Sequence, residues 1–192
     1  MIDIATMYNK YAFLGPEFLT WLWYASENTP ERLNVFKDEK TELVVGNKVV
    51  IVNDNPQPGK SAKVTIQGEE SDLKEAMLSV KDGGWVSDIH LRLEIGEIKY
   101  ELTLGAPALK ITGFKCSERV SADKEEEIDG AIMERIFLIT KAMEYLDHVF
   151  ERFIKARLNG KWDSEILPDL SAWIRGDENM GSKVPLNKKL FD

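Results

Sequence analysis

Two histidines, His90 and His148, and one cysteine, Cys116, are all that this 192-residue chain offers for imidazole or thiol chemistry. No GxSxG, Walker loop, HExxH or CxxC accompanies them, so the usual parts for nucleophilic, nucleotide and metal chemistry are missing. Glu144, His148 and Glu151 share a helix face at i, i+4 and i+7 and could hold a metal weakly. With Arg152 beside them and an apolar seam opposite, a solvated face is the simpler reading. His90 reads as a solvated strand-face histidine. Cys116, flanked by Phe114, Lys115 and Ser117, has no neighbouring metal ligand and reads as a strand-end thiol; a single cysteine suits a reducing cytoplasm. No carboxylate lies in a stretch that looks buried enough to tune its pKa. The expectation is a protein that is not an enzyme and uses no metal and no cofactor.

The one concentration of positive charge is Arg152, Lys155, Arg157 and Lys161, against a single Glu151. Such side chains can displace counterions from nucleic-acid phosphates. They equally suit the negative end of a helix dipole. Lys188 and Lys189 could extend the patch. A net charge of −8 argues against a protein coated in positive charge, so nucleic acid would be met only by a local patch. Hydrophobic residues at 43% and charged residues at 30% are ordinary for a soluble globular chain. No run reaches the ~18 apolar residues of a membrane span and the opening MIDIATMYNK has no signal-peptide pattern, which places the chain in the cytoplasm, at the nucleoid if it binds DNA.

The elements that must position these residues read as follows. FLGPEFLTWLWYASE, residues 13–27, is a short helix opened by Gly15-Pro16 and apolar nearly all round, the pattern of a helix buried on two sides, either between layers of its own domain or against a second chain. Gly46-Asn47 within ELVVGNKVVIV has hairpin-loop chemistry and would set Leu43 and Val44 against Val50 and Val49. NDNPQPGK is turn chemistry and leads to a strand over 62–67. A short middle helix follows, with capping-box spacing at Asp72 and Glu75 and a stop at Gly83-Gly84.

Residues 85–104 alternate apolar and polar on both sides of Gly96-Glu97, and a two-residue turn there pairs Glu94 with Lys99, Arg92 with Glu101 and His90 with Thr103. Residues 109–114 form a further strand. A long helix over about 122–159, capped by Ser121, carries Ile128, Ile132, Ile136, Ile139, Met143, Leu146, Phe150 and Phe153 at spacings of three and four. At ~1.5 Å per residue it is longer than its own sheet needs, so part of it is expected to pack against something else, such as a second copy. A shorter apolar segment runs from Trp162 to Trp173. The whole reads as one α+β domain over 1–175, its antiparallel hairpins joined by the aromatic N-terminal helix, the middle helix and the long C-terminal helix, with a flexible tail over 176–192.

Gly15, Glu17 and Phe18 to Trp23 match the Gly-x-Glu-Phe-Leu-Thr-Trp-Leu-Trp segment of proteins related to the recombination-associated RdgC family. The order of SDLKEAMLSVKDGG, WVSDIHLRLEIGEIKYELTL, GFKC and IMERIFLITKAMEYLDHVFERFIKARL is similar to that family's C-terminal half, over roughly residues 13–175. About a dozen residues precede the motif, so the family's N-terminal part is expected to be absent and with it the same closed ring. The resemblance implies a mixed α/β protein that binds double-stranded DNA without sequence preference, assembles as a homodimer and restrains the RecA recombinase. It carries over no DNA-contact residue, because Gln67-Gly68-Glu69-Glu70 is neutral and acidic where family lysines are expected. The alternative is an acidic protein-interaction module that meets a recombinase or nuclease instead of DNA.

Overall fold

The computed structural model describes residues 14–54, 62–68, 70–106, 108–118, 120, 121, 124 and 127–176. The chain is α+β, with a five-stranded antiparallel sheet in the order β2-β1-β3-β4-β5. The strands are β1 (Thr41–Val52), β2 (Lys63–Gln67), β3 (Trp85–Ile95), β4 (Ile98–Gly105) and β5 (Lys110–Cys116). The helices are α1 (Leu14–Asn28), α2 (Glu70–Lys81), α3 (Ile128–Leu158) and α4 (Leu167–Arg175). A 3-10 turn, Pro30–Leu33, follows α1, and a π-helical turn, Trp162–Ile166, runs directly into α4. The proposed tail beyond Gly176, with Lys188 and Lys189, lies outside the described residues, as does most of the NDNPQPGK turn.

The β3–β4 hairpin has the register its apolar alternation dictates: Glu94 faces Lys99, Arg92 faces Glu101 and His90 faces Thr103. Gly96 takes φ 63° at the first turn position, which only glycine adopts without strain. Ile89, Leu91, Leu93 and Ile95 are buried while the residues between them are only partly so, the mark of a sheet covered on one face. The Glu94–Lys99 pair closes at 2.9 Å on the other face.

Residues 41–52 form one strand rather than a hairpin. Val45 pairs with Leu91 and Val49 with Ile89, so Gly46-Asn47 belongs to a bulge in β1 where extra residues oppose β3. Loops and bulges draw on the same glycine and asparagine chemistry, and the outcome here is set by β3 and β2, which flank β1 on its two edges. Helix α2 starts at Glu70, ahead of the Asp72 cap position, and closes as expected: Gly84 N–H donates to Ser79 O and Gly83 N–H to Val80 O, with Gly83 at φ 93°.

Helix α1 is enclosed by its own domain. It lies against β3 and β1, and Phe18 and Trp21 meet Phe153 of α3 at centroid distances of 5.4 and 5.6 Å. Trp23 meets Trp173 of α4 edge-on at 5.1 Å. Layers on several sides explain why so few polar positions remain on this helix.

Helix α3 begins at Ile128, later than the expected start near 122; residues 122, 123, 125 and 126 lie outside the described residues. Its buried stripe is also rotated from the expected seam. Leu138, Ala142, Tyr145, Leu146, Val149 and Phe153 are buried, whereas Ile128, Ile132, Ile136, Ile139 and Met143 are exposed. Both sets recur at three and four, and only contact with the body of the fold selects one. Tyr145 Oη donates to Leu33 O at 2.9 Å and Lys141 Nζ bonds Glu39 at 2.8 Å, so the inward face of α3 is laced to the segment after α1.

Candidate functional site

The four expected cations do not form one patch. Arg157 turns to the core side of α3, where its Nε lies 3.1 Å from Glu17 Oε2 and its guanidinium covers the Trp162 ring at 4.9 Å. Burial pushes the Glu17 carboxyl above its ordinary value, and the Arg157 charge beside it pulls the other way. Arg157 is therefore a structural residue that ties α3 to α1. Lys155 pairs with Glu151 at 2.8 Å along the exposed face of the same helix, a contact that holds the Glu151 carboxyl below the usual carboxylate range.

Arg152 and Lys161 remain, and Arg32 joins them. These three cations line a cavity of about 270 Å³ together with Trp21, Ala156, Glu165 and Ile166. Arg152 Nη1 donates to Arg32 O at 2.9 Å, which fixes the 3-10 turn against α3. No carboxylate lies within ion-pair distance of Arg32, Arg152 or Lys161 among the described residues. Arg32 has no signal in the sequence, since it sits beside Glu31 in the polar connection after α1 and reaches the site only through tertiary packing.

A second cleft, of about 480 Å³, opens between α1, the start of β3 and α4, with Glu17, Thr20, Asp54, Trp85 and Trp162 among its walls. Trp85 Nε1 donates to Asp54 at 3.1 Å across its edge. Its two carboxylates are engaged by Arg157 and Trp85, and the Thr20 hydroxyl donates to Pro16 O at 2.8 Å.

His148 lies 3.8 Å from Glu151 and edge-on to Phe36. Among the described residues no group of three or more His, Cys, Asp and Glu side chains could hold a metal. His90 is half-buried rather than solvated; burial pushes its imidazole below the ordinary value, partly offset by Glu101 and reinforced by Arg92, Lys115 and Lys48. Cys116 is a half-buried free thiol at the end of β5.

The most extended feature is apolar. Along the first half of α3, Ile128, Ile132, Met133, Ile136, Phe137, Ile139 and Met143 are each 42–66% exposed. Among the described residues no helix is long and apolar enough to cross a membrane. Comparisons with models of protein families, with curated proteins and with solved structures find no match to this chain.

Proposed function

We propose that this chain is a non-enzymatic interaction protein that pairs with a second copy of itself through the first half of α3. The apolar stripe on that half carries the reading. Monomeric proteins rarely expose a contiguous row of large hydrophobic side chains, and a row spaced at three and four along one helix face can meet its own copy across a two-fold axis. Light scattering at tens of micromolar should give twice the chain mass. Ile132→Glu combined with Ile136→Glu should give the monomer mass with unchanged far-ultraviolet dichroism. A wild-type monomer would sink the proposal, and would leave a different protein, such as a recombinase or nuclease, as the partner of the stripe.

The second reading is sequence-independent binding of double-stranded DNA by a protein of the recombination machinery. The convergence of Arg32 with Arg152 and Lys161 favours it, as does the resemblance of Gly15, Glu17 and Phe18 to Trp23 to the RdgC family. Binding should weaken steeply with salt, by roughly 0.9 counterions per phosphate neutralised. A titration of unrelated duplexes at 50 and 200 mM salt tests it; no retardation at the lower salt would remove it.

A further inference from the structure

The geometry points to the cavity between the 3-10 turn, α3 and the π-helical turn as a binding site for a compact dianionic phosphate, either free or at the end of a larger molecule. Three features of the site define that chemistry. The first is charge. Arg32, Arg152 and Lys161 line the cavity beside one carboxylate, Glu165, so a net charge near two faces the ligand. A phosphate monoester or inorganic phosphate matches it, since a terminal phosphate carries about −1.5 to −2 near neutral pH, whereas each diester of a nucleic-acid backbone carries one charge.

The second feature is an unused donor. Trp21 is 2% exposed, and its indole N–H has no acceptor among the described residues. An indole nitrogen can only donate, and a buried donor without a partner is disfavoured. Trp21 is among the residues that line this same cavity, with its N–H closed to water, and an anion supplies the acceptors that this N–H lacks.

The third is preorganisation. Arg152 is held by its bond to Arg32 O, and the Trp21 ring is fixed against Phe18 and Phe153 at 6.1 and 5.6 Å. Two guanidinium groups give planar, paired donors suited to phosphate oxygens. A cavity of about 270 Å³ admits a terminal phosphate or pyrophosphate, and it is too small for a duplex. The site is independent of pairing through α3, and it rests on the DNA reading only where the phosphate is borne by a DNA end.

Calorimetric titration of the full chain with inorganic phosphate, pyrophosphate, and short blunt duplexes bearing 5′-phosphate or 5′-hydroxyl tests the inference. Saturable 1:1 binding of phosphate or pyrophosphate, weakened about tenfold or more by Arg152→Gln and by Lys161→Gln, is the expected result for a free ligand. A preference of tenfold or more for the 5′-phosphorylated duplex, lost in the same variants, assigns the ligand to a DNA end. Trp21→Phe should weaken binding several-fold; since Trp21 also packs in the core, Arg32→Gln, which leaves that packing intact, serves as the parallel variant. No binding of phosphate or pyrophosphate at 10 mM with equal affinity for the two duplexes overturns the site while leaving backbone binding in place. Binding that survives Arg32→Gln, Arg152→Gln and Lys161→Gln together overturns it as well.

Discussion

The imidazole of His90 occupies the space that any side chain on Gly46 would need: a Cβ built on Gly46 would collide with His90 Nδ1. The bulge in β1 and the half-burial of His90 are thus one arrangement. The Gly46-Asn47 pair lets the backbone of β1 pass over the imidazole where two flat strands would have set a side chain against it. Replacing Gly46 by Ala should destabilise the fold by about 1–3 kcal/mol through overpacking. His90→Ala should recover most of that loss in the double variant, because the two positions share one contact. Urea midpoints of the four proteins test the coupling, and strict additivity would refute it.

His90 also predicts a pH dependence. Burial lowers its pKa from the ordinary 6.5, so below that value the unfolded chain takes up a proton before the folded one does. Stability contributed by the neutral imidazole is present at higher pH, and is lost as pH falls from about 6.5 through the depressed folded value. Denaturation at pH 7.5, 6.5 and 5.5 should show a fall that is shallower in His90→Gln, which keeps a polar group on the strand and removes the titration. Identical slopes in the two proteins would mean that carboxylates alone set the acid limb.

The parts of the fold legible in sequence are those decided locally. In the β3–β4 hairpin, strict alternation, a glycine at the first turn position and two opposite-charge pairs all demand one register, and that register is observed. Gly46-Asn47 reads as a hairpin loop and forms a bulge instead, because only distant strands distinguish a turn from a bulge. For α3, periodicity revealed apolar faces without saying which is covered; Ile132 and Ile136 follow the same spacing rule as Ala142 and Val149, and only the latter meet the body of the protein. The cationic cluster was legible as composition. Its division was not, because Glu17 captures Arg157 and the 3-10 turn delivers Arg32, both across long stretches of sequence.

Glu27 joins two tryptophans. Its carboxylate accepts from Trp23 Nε1 at 2.7 Å within α1 and from Trp173 Nε1 at 3.1 Å in α4. Glu27→Ala would leave the wholly buried Trp23 donor unsatisfied and release α4 from α1, for an expected loss of about 1–3 kcal/mol. Glu27→Gln retains one acceptor oxygen and should lose less. The near-ultraviolet dichroism of the edge-on Trp23–Trp173 pair reports the change directly: it should diminish in Glu27→Ala before the far-ultraviolet signal does.

Arg157 separates a binding role from a structural one. Its guanidinium sits between Glu17 and the Trp162 ring, with both charged side chains about three-quarters buried. Arg157→Ala should lower stability by about 1–2 kcal/mol, since it removes an ion pair and a ring contact together and leaves the mostly buried Glu17 carboxylate alone. Arg157→Lys should restore only part of this, because an ammonium cannot both lie flat over the indole and reach the carboxylate with its single nitrogen. Glu17→Gln combined with Arg157→Ala should be less destabilising than the sum of the single changes. If duplex DNA binds, Arg157→Ala should leave the salt dependence of binding unaltered at temperatures where the variant is fully folded, whereas Arg152→Ala should reduce the slope by close to one counterion. A stable Arg157→Ala protein with a reduced salt slope would return Arg157 to the phosphate-contacting set and would place the tie between α1 and α3 elsewhere.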